Sequence, residues 1–160
     1  SMLLLRTRGR RSGLVREAPL GYAVVDGSYV VVAGYGRGAH WFANALAHPE
    51  VEVVVAGCRL ACRAEEVTDP VALRRAFVAA ILAMGVVGRM TVGDIRHASP
   101  ERLDELCAGF PVLALTPTAV LDGPADPGGP VAWWGAATSV LELVVLAALV
   151  RRLTAGRRRS

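Results

Sequence analysis

Residues 15–33 read VREAPLGYAVVDGSYVVVA, and the Asp26-Gly27 pair at their centre decides the fold class. Asp-Gly between two runs rich in β-branched and aromatic residues favours a type I′ turn, whose two central residues both need positive φ. Residues 15–25 are therefore expected to form one long strand, returned antiparallel by residues 29–33. Upstream, residues 2–8 read as a short strand and GRRSG (9–13) as a tight loop feeding the long one. Downstream, GYGRG (34–38) interrupts the pattern, and residues 39–47 are apolar at helical spacing until Pro49. Val51, Val53 and Val55 then alternate, Ala56-Gly57 turns the chain, and residues 59–67 alternate again as a second hairpin partner.

The rest of the chain supplies cover for this early, antiparallel β structure. Thr68 or Asp69 can cap a helix with Pro70 in its first turn, running over residues 71–84 and ended by Gly85 and Gly88. Ser99-Pro100-Glu101 starts another that stops at Gly109, and residues 112–115 give one more strand. Residues 122–130, DGPADPGGP, hold three prolines and three glycines and read as a linker. The order suits an antiparallel barrel with helices over its open side, a mainly β (α+β) fold, and not alternating βαβ units.

Of the 160 residues, 53% are hydrophobic and 20% charged, and the net charge of +4 comes almost wholly from arginines near the two ends. Those basic stretches lack interleaved aromatics and a recognition helix, which argues against nucleic acid. The three cysteines, Cys58, Cys62 and Cys107, have no CxxC spacing, and the histidines are scattered, so neither a disulfide framework nor a metal site is expected. Cys58 and Cys62 would share a strand face as small apolar residues. Ser1 before Met2 reads as a cleavage remnant. Residues 3–5 are too short for the apolar part of a signal peptide, so the expected location is cytoplasmic.

GRRSGLVR places Arg10, Arg11 and Arg16 around two glycines and Ser12, so that guanidinium forks, a hydroxyl and main-chain N–H groups can converge on one anion. A phosphate cradle and a merely solvated basic loop are equally open readings of the residues alone. GYGRG followed by HWF adds Arg37, glycines that allow close backbone approach, and the Trp41-Phe42 pair, which also suits the core side of an amphipathic helix. Both motifs are expected at the ends of adjacent strands, facing one pocket. Glu17, beside Arg16, reads as its surface partner.

Three stretches carry a resemblance: LLLRTRGRRSGLVREAPLGY (3–22), YVVVAGYGRGAHWFANALAHPEVEV (29–53) and PVLALTP (111–117). In the spacing of G-R-x-S-G-x-x-R-x-x-P-L and of W-F-x-N-x-x-x-x-P-x-V, the chain resembles the deazaflavin-dependent nitroreductase family of the flavin/deazaflavin oxidoreductase split β-barrel superfamily. The resemblance implies a split barrel that binds coenzyme F-420 and transfers a hydride to a quinone, nitro or enone-type substrate. By motif position Arg11 and Arg16 would hold the cofactor's anionic groups, Ser12 and Gly13 would shape the loop, and Ala18 and Pro19 would line the ring site. Gly34, Tyr35, Gly36 and Arg37 would approach from the following strand, and Trp41, Phe42 and Asn44 would buttress the pocket. Tyr22, Tyr35 or solvent would supply a proton.

Relatives carry a Ser-Lys pair where this chain has Gly34-Tyr35, and Arg37 stands in reach as a substitute cation. Relatives also begin with an extra helix and end soon after the last strand. Two alternatives accompany the deazaflavin reading: an FMN-binding reductase on the same barrel, and a non-redox barrel acting as a cofactor-free cyclase or binding module.

Residues 2–121 are thus expected to form the cofactor-binding domain, followed by the linker 122–130, an apolar helix over 131–153 and a basic tail over 154–160. Residues 131–150, VAWWGAATSVLELVVLAALV, are about as long as a membrane span. A span would send the terminal arginines outward and bury Glu142, at a cost of about 2.5 kcal/mol or more. A helix docked on the barrel, a homodimer contact or a membrane-surface contact are the other readings of this segment.

Overall fold

The computed structural model describes residues 1–123. The expected linker beyond Gly123, the apolar segment 131–153 and the basic tail lie outside them.

Seven antiparallel strands form one sheet in the order β2-β1-β5-β6-β7-β4-β3. They are β1 (Met2–Arg8), β2 (Val15–Gly21), β3 (Ala23–Val25), β4 (Ser28–Val32), β5 (Glu50–Val55), β6 (Cys58–Glu66) and β7 (Val112–Leu121). The helices are α1 (His40–Ala47), α2 (Pro70–Ala83), α3 (Val86–Val92) and α4 (Pro100–Gly109), with a 3-10 turn at Gly36–Gly38. The fold is the antiparallel α+β split barrel expected from the pattern.

The Asp26-Gly27 turn has φ of 50° and 78°, as a type I′ hairpin requires, and Ala56-Gly57 repeats it at 50° and 78°. The long strand, however, is two strands. The chain breaks at Tyr22: residues 15–21 pair with β1 over its whole length, while only Ala23–Val25 pair with β4. One continuous segment therefore supplies both edge strands of the curled sheet.

Two cores explain why YVVVA is an unbroken apolar run rather than an alternating one. Val31 and Ala33 face the barrel interior with Leu3, Leu5, Val53, Leu113 and Leu115, and Phe42 of α1 plugs that core. Val30 points the other way, onto Phe77, Ala80 and Ile81 of α2. A strand buried on both faces reads as a continuous hydrophobic run.

α2 is capped by Asp69, whose carboxylate accepts from the Ala72 N–H at 2.8 Å. Gly85, at φ +60°, ends that region, but Gly88 does not: it lies inside α3, where a Cβ would fall 2.2 Å from the Ile81 carbonyl oxygen. The glycine permits close helix packing there. The last strand also runs longer than residues 112–115, continuing through Pro117 past a register shift opposite Ala61/Cys62. Cys62 is buried and its thiol is pushed up to about 11 by burial, whereas Cys58 at the hairpin end is exposed.

Candidate functional site

The β1–β2 register places Thr7 opposite Arg16, Leu5 opposite Ala18 and Leu3 opposite Leu20. Side chains alternate across a strand, so Arg16, Ala18 and Leu20 share the inner face with the buried Leu3, Leu5 and Thr7. Arg6, Glu17 and Pro19 are on the outer face. The same two strands thus send arginines in both directions.

Between these strands the GRRSG loop closes on itself. The Gly13 N–H donates to the Gly9 carbonyl at 2.7 Å, and the Gly9 N–H to the Leu14 carbonyl at 2.8 Å. Gly13 has φ +70°, which glycine adopts without strain, and a Cβ at Gly9 would lie 2.7 Å from Ser12 Oγ and displace that hydroxyl. The loop lies against α1, where Asn44 Oδ1 accepts from the main-chain N–H of Arg10 at 3.1 Å and from its guanidinium at 3.2 Å.

A cleft of about 590 Å³ opens between the loop, β2 and α1. It is lined by Gly9, Arg10, Arg11 and Ser12 of the loop, Arg16, Glu17 and Ala18 of β2, and His40, Trp41 and Asn44 of α1. Among the described residues Arg11 and Arg16 make no ion pair. Glu17, the acidic residue at the cleft, is occupied on its outer side by Arg6 at 2.8 Å rather than by Arg16. The cleft is consequently cationic, with a small apolar patch at Ala18 and an indole beside it. Its size and mixed lining suit an organic anion with a planar ring system, deazaflavin phosphate included.

Arg6 continues into a charged ladder on the outer face, donating to Glu52 at 2.8 Å, and Arg59 donates to the same carboxylate at 2.7 Å. The Arg59 hydrogen bond, opposed by burial and aided by Arg6, holds the Glu52 carboxyl below the usual carboxylate range. Burial works against the Arg6 charge, but its bonds to Glu52 and Glu17 outweigh that and raise its pKa.

Of the residues singled out from sequence, the structure gathers Arg11, Ser12, Arg16, Ala18, Trp41 and Asn44 around the cleft, with Gly13 shaping the loop. Pro19 lies on the outer face. Phe42 is 1% exposed in the barrel core, edge-on to Trp41 with ring centroids 5.9 Å apart. Arg37 turns from the cleft to an ion pair with Glu66, beside a second cavity of about 440 Å³ bordered by α2 and α4 residues. Gly34, Tyr35 and Gly36 form an outward turn in which Tyr35 is 92% exposed. Tyr22 sits at the β2–β3 break, edge-on to Tyr29 at 5.3 Å, and does not border the cleft.

The strands that carry the two glycine motifs are not neighbours, since β2 and β4 lie toward opposite edges of the ladder. What meets the arginine loop is α1, the helix after the second motif, while the GYGRG turn itself stays away from the cleft. That helix also supplies His40, a cleft residue the sequence reading missed. Its only signal was its position next to Trp41.

Residues 1–85, from β1 through α2, match the sequence family described as F420H(2)-dependent quinone reductase. No curated protein sequence matches the chain. Among solved structures, a conserved hypothetical protein from Mycobacterium tuberculosis is similar at TM-score 0.57 and 17% identity, covering 81% of this chain and 83% of that one. A structure titled F420-H2 dependent reductase aligns at TM-score 0.51 and 23% identity, over 71% of this chain and 92% of its own. An FAD-binding protein from Mesorhizobium loti aligns at TM-score 0.51 and 16% identity, over 74% and 82%. These likenesses establish the split-barrel fold, while the family match reaches over the arginine loop, β2 and α1 together. The chain belongs to the deazaflavin-dependent quinone reductase family, and is an oxidoreductase whose cofactor is coenzyme F-420.

Proposed function

We propose that the cleft between the GRRSG loop, β2 and α1 is the cofactor site, and that the enzyme reduces a quinone, with nitro and enone-type compounds as the wider class of acceptors. The observation that carries this reading is the pair of unpaired arginines, Arg11 and Arg16, facing one cleft with Ala18 and Trp41. Arginine forks bind phosphate and carboxylate bidentately, and coenzyme F-420 bears both groups. Ser12 adds a hydroxyl to the same anion site. Ala18 leaves room for a flat ring against the strand, and the Trp41 indole flanks it.

When bound, the reduced deazaflavin supplies a two-electron hydride. The chain's part is to hold the anionic end at the loop, keep the ring along β2, and shield the reacting face from water. Neither Tyr22 nor Tyr35 borders the cleft, so neither is placed to supply the proton that completes reduction.

Titration of the purified protein with oxidised coenzyme F-420, followed by turnover of the reduced cofactor with a soluble quinone, tests the reading. Micromolar binding and quinone-dependent oxidation of the cofactor are expected. Binding of FMN in preference to the deazaflavin would transfer the site to a flavin, and binding of neither would end the cofactor assignment of this cleft.

A further inference from the structure

Three arginines border the cleft, yet they are not equivalent. Arg10 is tied down: its main-chain N–H and its guanidinium both donate to Asn44 Oδ1, at 3.1 and 3.2 Å. Both donors are N–H groups, so the amide orientation of Asn44 is set by chemistry. Asn44 is only 5% exposed, and Thr7 is the other buried polar residue among those described. A buried amide oxygen spent on a loop 34 positions away in sequence is a tertiary clasp rather than a local cap.

The clasp acts on a loop already closed by the Gly13-to-Gly9 bond of 2.7 Å. Fixed to α1 at Arg10 and closed at Gly13, the loop has little backbone freedom left at the two residues between them, Arg11 and Ser12. A loose loop would have to be ordered as the ligand binds, at a cost in backbone entropy for every residue fixed, and that cost would appear directly as lost affinity. The clasp also turns one guanidinium N–H of Arg10 toward Asn44, while the neutral amide leaves its charge beside the cleft.

We propose that Asn44 is the positioning residue of the anion site: acting through Arg10, it preorganises the loop so that Arg11 and Arg16 meet the cofactor's anionic groups. This rests on the cleft being the cofactor site. The clasp itself does not.

Hydrogen exchange of the amides of residues 10–14 in the free protein, alongside deazaflavin titration, separates the two. In Asn44→Ala the loop amides should exchange faster, and affinity for coenzyme F-420 should fall about tenfold or more, while turnover at saturating cofactor stays within about twofold. Asn44→Asp keeps an oxygen acceptor for both bonds and should restore loop protection. Arg10→Ala keeps the main-chain donor and should weaken binding less than Asn44→Ala does. Unchanged loop exchange in Asn44→Ala, affinity lost without any change in exchange, an unprotected loop in Asn44→Asp, or a larger affinity loss in Arg10→Ala would each overturn the proposal. If the unaltered protein binds no deazaflavin, the cofactor reading fails, and the exchange comparison still decides whether the clasp orders the loop.

Discussion

The inner and outer faces of the β1–β2 pair use the same residue type for opposite ends. On the outer face Arg6, with its side chain 13% exposed, is saturated by Glu17 and Glu52, and Arg59 extends the row to a fourth strand. On the inner face Arg16, with Arg11 on the adjoining loop, meets no carboxylate among the described residues. A paired arginine lowers the energy of the fold, whereas an unpaired one beside a cleft keeps its donors free for a ligand. The contrast lies in the partners, which strand alternation assigns.

If that division holds, replacing Arg11 and Arg16 together by alanine should weaken coenzyme F-420 binding by about a hundredfold to ten-thousandfold, since each charge-assisted contact is worth roughly 1.5–3 kcal/mol. Melting temperature should barely move, and a large drop in it would show that these arginines belong to the fold instead. Arg6→Ala should do the reverse. It leaves Glu17 without its partner and should cost about 1–2 kcal/mol in denaturant unfolding, with cofactor affinity falling far less than in the double arginine variant.

A smaller effect is expected at the loop itself. Gly13 holds φ +70°, so Gly13→Ala should cost about 1 kcal/mol and weaken binding without removing any charge. Smallest of all is the acid response of the outer ladder. Because the folded-state pKa of Glu52 is depressed, its contribution to stability is fully present above its ordinary value of 4.5 and is lost as pH falls below it through the folded value. Glu52→Gln should therefore flatten the acid limb of the stability curve. An unchanged slope would mean the ladder adds no pH-dependent stability.

Much of the barrel was legible because short-range chemistry dictates it. Asp26-Gly27 and Ala56-Gly57 have few turns to choose from, and Asp69-Pro70 and Ser99-Pro100 are strong helix starts. The break at Tyr22 was not legible, because β-branched alternation runs through it and what divides the strand is a change of partner, from β1 to β4. Gly88 misled for a related reason: a glycine that ends a helix and one that lets two helices touch look alike until the Ile81 carbonyl is placed beside it.

At the site, the sequence by itself determined the chemistry on offer: arginines around two glycines, a hydroxyl, and an aromatic helix following a second glycine turn. These follow from residue type and spacing, and they lie within the residues the family match covers. Which arginines remain free was decided only by the tertiary structure. Arg37 and Arg6 are claimed by Glu66 and by Glu17 and Glu52, and Arg10 is claimed by Asn44, through contacts between residues 11 to 46 positions apart. A charge's availability depends on what lies within about 3 Å of it, and only the closing of the barrel brings those neighbours into place.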